Sequence, residues 1–183
     1  MTETVPTPNS GLIALKVDKI SQLFDTLDPF PFHERDLDRD AEDFIVGWAR
    51  ELPANKAIEI AVHIPASEGE SAHAKEVGPA FATYFRYRAD ATGRDLKEMF
   101  RIGRFSLLMG LVVLAVCLTA GRAISTAFPR SEIARFFDEG LVILGWVANW
   151  RPIEIFLYEW WPLVRRRNLF RRLAAARVKL VAR

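Results

Sequence analysis

The stretch "FSLLMGLVVLAVCLTAG", Phe105 to Gly121, is seventeen residues long and carries no charge. As a helix it rises about 25 Å, which is short but sufficient to cross the hydrocarbon core of a bilayer. A chain of 183 residues can build one modest core beside such a segment. The chain is therefore read as a soluble part joined to a membrane part.

A second apolar stretch, "LVILGWVANWRPIEIFLYEWWPL", Leu141 to Leu163, holds Asn149, Arg151, Glu154 and Glu159. Two readings compete for it. In one, Pro152 ends a short span and the remainder lies along the membrane surface. That remainder is apolar nearly all round, with only Glu154, Tyr158 and Glu159 in a narrow polar strip, which does not suit a surface helix. In the other, a single helix from Phe136 to Trp161 rises about 39 Å and kinks at Pro152. The long helix is the expectation.

Charge orients this hairpin. Residues 1–80 hold fifteen acidic and seven basic side chains, and residues 81–183 hold eight and eighteen. The basic residues flank the apolar runs, a distribution that belongs to membranes and not to nucleic-acid binding. Six lie between Arg86 and Arg104, before the first span, and seven between Arg165 and Lys179, after the second. Only Arg122, Arg130 and Arg135 lie between the spans, so both ends are expected in the cytoplasm. Residues 1–10 lack the basic start and apolar segment of a signal peptide. Cys117 is the sole cysteine, which excludes an intrachain disulfide framework.

The soluble part alternates strand and helix patterns. "GLIALKV" reads as a strand buried mostly through Ile13, Leu15 and Val17, followed by a short helix with Ile20, Leu23, Phe24 and Leu27 on one side. "DPFPF" breaks it. Ala41, Phe44, Ile45, Trp48, Ala49 and Leu52 then recur at helical spacing behind a start rich in Asp and Glu, where carboxylates cap free amides. "IEIAVHI" places Ile58, Ile60, Val62 and Ile64 on one strand face, with Glu59, Ala61 and His63 on the other. "PASEGESAHAKEVGP" reads as a loop.

The fold class that follows is α+β, a small cytoplasmic α/β head followed by a two-helix transmembrane hairpin and a basic helical tail. Its expected parts are a mobile N-terminus (1–10), the head (11–78) and a helix leading into the membrane (79–104), hinged at Gly93. They continue with a first span (105–121), an external connection (122–135), a second span kinked at Pro152 (136–161) and the cytoplasmic tail (162–183).

The segments "LFDTLDPFPFHERDLDRDAEDFIVGWARELP" and "GWVANWRPIEIFLYEWWPLVRRR" resemble the signature stretches of a group of small bacterial inner-membrane proteins with a soluble N-terminal region and two membrane helices. The resemblance implies a bacterial inner-membrane location and carries no activity.

No catalytic, cofactor or metal site is expected. The acidic run "HERDLDRDAED", His33 to Asp43, fails as an EF-hand loop, because Ala41 and Gly47 stand where Gly and Glu are required. His63 and His73 have no ligand partners at zinc spacing. No nucleophile elbow or phosphate loop is present. Ser106 with Gly110 and Ala115 with Thr119 offer small residues at the spacing of close helix contacts.

Asn149, Arg151 and Glu154 are expected to form an intramembrane polar interface. Two membrane helices cannot surround them, so a homo-oligomer or a partner is implied. Trp160, Trp161, Arg165, Arg166, Arg167, Arg171 and Arg172 are expected to contact lipid headgroups. Leu169, Leu173, Ala176 and Leu180 would give the tail an apolar stripe on an anionic leaflet. The expected function is a non-enzymatic oligomeric scaffold or adaptor, whose acidic head is open to a cytoplasmic protein partner. The rival readings are a channel or transporter subunit with Asn149, Arg151 and Glu154 lining a polar path, and a membrane-tethered enzyme using the His33–Asp43 segment.

Overall fold

A computed structural model describes residues 11–69 and 72–182, except for the side chains of His33 and Ala72. The N-terminus 1–10 lies outside the described residues. In order, the chain forms β1 (Leu12–Lys16), α1 (Arg39–Glu51), β2 (Glu59–Ile64), a short α2 (Ala66–Gly69) and α3 (Val77–Ala127). It continues with α4 (Glu132–Val147), α5 (Trp150–Glu154), a π-helical turn (Ile155–Glu159), α6 (Trp160–Ala174) and β3 (Arg177–Ala182). The described residues separate into two compact units, one made of those up to 92 with those from 165 onward and the other of residues 93–164.

The first unit contains a parallel sheet in the order β1-β2-β3. Ile13 pairs with Ile60, and Ile60 pairs with Val178, so the middle strand comes from the head sequence and one edge from the end of the chain. This corrects the expectation of a helical tail through 183. Helix ends at Ala174, and Val178 and Leu180 then alternate with exposed Arg177 and Lys179 at the two-residue period of a strand. Parallel sheets are covered on both faces, which explains why Ala61 is buried although the alternation placed it on the outer side. Gly11 opens β1 with a φ of 73°, and a Cβ there would lie 2.8 Å from the Ala57 carbonyl oxygen.

Against the sheet pack aromatic side chains from distant parts of the chain. Phe85 of α3 stacks on Phe170 of α6 with ring centres 6.2 Å apart, and Phe81 meets Phe24 edge-on at 6.0 Å. α1 begins at Asp38, whose side chain accepts from the Asp40 N–H, and buries Ile45, Val46 and Ala49. Phe44 is instead 43% exposed, on the flank beside Trp48. The expected short helix is a single 3-10 turn, Ile20–Leu23. Leu27 is 89% exposed, because Asp25 and Asp28 accept the N–H groups of Leu27 and Phe30 and turn the chain away from the core. Glu42 ties α1 to α3, accepting from the Tyr84 hydroxyl at 2.7 Å and from two Arg88 nitrogens at 2.7 and 3.0 Å.

Two helical stretches, Val77–Ala127 and Glu132–Ala174, are long and apolar enough to cross a membrane, and only 17% and 22% of their most apolar windows are buried. α3 runs through Gly93, Phe105 and Gly121 without a break. The link to α4 is therefore only Phe128 to Ser131, and Ser131 caps α4 by accepting the Ala134 N–H. The two stretches meet along a seam of small residues. A Cβ on Gly103 would lie 2.8 Å from Ile155, one on Gly110 2.6 Å from Asn149 and one on Gly145 2.7 Å from Leu114, and one on Gly121 would run into Asp138. Gly103, Gly110 and Cys117 are seven residues apart, the spacing that keeps one helix face on its neighbour. Ser125 donates to Asp138 at 3.0 Å at the turn end of the hairpin.

Candidate functional site

The second helical stretch is interrupted three residues before Pro152. A proline at 152 has no N–H for the Ala148 carbonyl and crowds it, so α4 ends at Val147 and α5 begins at Trp150. The freed Ala148 carbonyl faces α3, 3.0 Å from where a Gly110 Cβ would sit. Asn149, 5% exposed, donates from Nδ2 to the carbonyls of Gly110 at 3.1 Å and Gly145 at 2.9 Å. Its amide thus bridges the two helices across a contact that only glycine permits.

Arg151 lies on the outer side. It donates to Glu154 at 3.4 Å and to both oxygens of Glu159, with Nη2–Oε2 at 3.3 Å, while the Trp150 indole donates to Glu154 at 2.9 Å. Glu159 is eight residues from Arg151, which in an α-helix would be off its line. The π-helical turn at Ile155–Glu159 adds one residue to the winding, so the eighth position takes the place of the seventh. That geometry is invisible to α-helical spacing, which leaves Glu159 out of the expected interface residues. Arg151 and Glu154 are brought together. Asn149 is turned away from them, into the seam.

The facing pairs also set depth. With Gly110 opposite Asn149 and Gly103 opposite Ile155, Arg151 is level with Leu107 and Leu108. It sits about one helical turn inside the charge-free run that begins at Phe105. Glu159 lies on the basic side of that boundary, near the level of Phe100, whose ring stacks on Phe156. The guanidinium therefore reaches from the apolar zone toward its edge, as long basic side chains do at interfaces.

The expected headgroup contacts divide into two sets. Trp160 donates to the Phe156 carbonyl at 2.9 Å, and Trp161 is 57% exposed beside it. Arg165, Arg166 and Arg171 are exposed, with Arg166 over the Phe170 ring. Arg172 is taken by the first unit, where it donates to the carbonyls of Pro53 and Lys56 at 2.8 and 3.1 Å. Arg167 has its Nε buried. Leu173 is buried in the core and Leu180 lies in β3, so the expected apolar stripe of the tail faces the protein.

On the first unit, Asp28, Phe30, Glu34, Asp36, Thr83, Tyr84 and Tyr87 line a groove of about 370 Å³. The N–H groups of Asp36 and Phe30 hold the Asp28 carboxyl below its ordinary range. Burial, and then the Asp28 charge, push Asp36 above it. Burial and the bond to Glu42 also raise Tyr84. Among the described residues no group of three or more His, Cys, Asp or Glu side chains is placed to hold a metal.

No protein-family model, curated protein or solved structure matches this chain.

Proposed function

We propose that the protein is a scaffold of a bacterial inner membrane that self-associates through its hairpin and displays its acidic head in the cytoplasm. The observation that carries this is the Trp150–Arg151–Glu154–Glu159 cluster on the outer face of the hairpin. Three hydrogen bonds occupy three of the five guanidinium N–H groups, and on the apolar side of that edge lipid chains offer nothing to the others. A second copy offers the carboxylate oxygens of its Glu154 and Glu159 as acceptors.

The sheet supports the topology. Strands from before and after the hairpin pair with each other, so a hairpin that spans the bilayer returns to the side it left. The excess of basic residues at both flanks makes that side the cytoplasm.

Particle mass in mild detergent tests the reading. The parent should run as an oligomer, Arg151→Leu should shift it toward monomer, and Arg151→Leu combined with Glu154→Leu and Glu159→Leu should recover part of the assembly. Parental mass in the single variant would leave the cluster as a lipid-interface feature and remove the basis for self-association.

A further inference from the structure

We infer that the outward face of α3 from Arg94 to Val112 binds a phospholipid with an anionic headgroup; the inference rests on the membrane reading above. Arg94, Lys97, Arg101 and Arg104 recur at three- and four-residue steps, which places them within one stripe of the helix. Together with Glu98 and Phe100 they line a groove of about 670 Å³. Glu98 is the one acid of that groove and pairs with Arg101 at 3.4 Å, so the groove remains cationic.

Direction and sequel identify the occupant. Gly103 lies against Ile155, and helical rotation puts Arg94, Lys97 and Arg101 on the far side of the helix, with Arg104 on its flank and Phe100 at the border of the groove with the seam. Along the same outward face follow Phe105, Leu108 and Val112, which are 66%, 59% and 51% exposed. Cations therefore give way to uncovered apolar surface within about one turn of helix. Guanidinium and ammonium groups suit a phosphate, and the apolar stripe suits acyl chains. A free anion would use only the first half of this surface, and a zwitterionic lipid would leave its net charge uncompensated.

The test uses the full chain in nanodiscs of equal phosphatidylglycerol and phosphatidylcholine, with retained lipid counted by native mass spectrometry. Phosphatidylglycerol should be retained preferentially. Arg101→Gln with Arg104→Gln should lower that preference about fivefold per charge removed. The charge-matched pair Arg39→Gln with Arg50→Gln, exposed on α1, should keep it, and excess inorganic phosphate should not displace the lipid. Equal losses in the two double variants would reduce the stripe to a diffuse topology signal. Absence of preference, or displacement by phosphate, would equally overturn the site. Protein mass in the same spectra reports self-association separately.

Discussion

Gly110→Ala changes one hydrogen to a methyl group at the point where the hairpin is tightest. The new Cβ would lie 2.6 Å from Asn149 Oδ1 and 3.0 Å from the Ala148 carbonyl oxygen, against an ordinary contact beginning near 3.4 Å. Asn149 has no slack, since its Nδ2 is held by the Gly110 and Gly145 carbonyls, and Ala148 presents backbone. Relief requires the helices to part by about 0.8 Å, the gap between that contact and 2.6 Å. The 3.1 Å bond from Asn149 to Gly110 does not survive such a shift. Overpacking costs about 1 to 3 kcal/mol, and the lost bond adds ~1 kcal/mol. Gly140→Ala is the control, because nothing lies within 4 Å of its new methyl group. It should be neutral, or stabilise by up to ~1 kcal/mol through helix propensity. Unfolding in mixed micelles of a mild detergent and dodecyl sulfate reads both. A Gly110→Ala variant as stable as the parent would mean that the helices do not meet at this glycine.

Other substitutions test the first unit. Phe170→Ala should destabilise it by about 3 to 5 kcal/mol, since that ring is 1% exposed and stacks on Phe85; chemical denaturation followed by near-ultraviolet circular dichroism measures the loss. Termination after Ala175 removes β3 and leaves one side of β2 unpaired, and should make the unit sensitive to limited proteolysis. Asp36→Asn and Asp28→Asn should act oppositely on the melting temperature at neutral pH. Asp36 is raised in the folded state, so its ionisation disfavours folding as pH rises through the interval above its ordinary value of 3.8, and Asp36→Asn should stabilise. Asp28 is lowered, so it supports folding above 3.8 and loses that effect as pH falls through its folded value; Asp28→Asn should destabilise at neutral pH.

How legible each part was depends on contrast between a buried and an exposed face. β1 and β2 alternate more buried with less buried positions and α1 repeats its apolar residues at helical spacing, so all three follow from periodicity. β3 does not. Over six residues Val178 and Leu180 fit a strand, while Leu173, Ala176 and Leu180 fit a continuing helix, and the partner strand lies on the far side of the whole hairpin in sequence. The helix seam was hidden for another reason. Within a run that is apolar everywhere, the face that meets a neighbour differs only in being small, and of the two expected pairs only Ser106 and Gly110 lie toward it. Thr119 is exposed and bonds its own helix at Ala115 and Val116. The break lies at Ala148–Asn149 and not at Pro152, because a proline shows its defect at the carbonyl four residues before it.

The segments before and after the hairpin form one unit, and the proposed spanning hairpin requires that unit to lie on one side of a membrane. Single cysteines at Gly69, Thr126 and Ala182, in a Cys117→Ala background, can be challenged in intact cells with a thiol reagent that does not cross the inner membrane. Thr126 should react in intact cells, and the cysteines at 69 and 182 only after permeabilisation. Labelling of position 69 or 182 in intact cells, or failure of Thr126 to react before permeabilisation, would contradict a spanning hairpin that returns its end to the sheet.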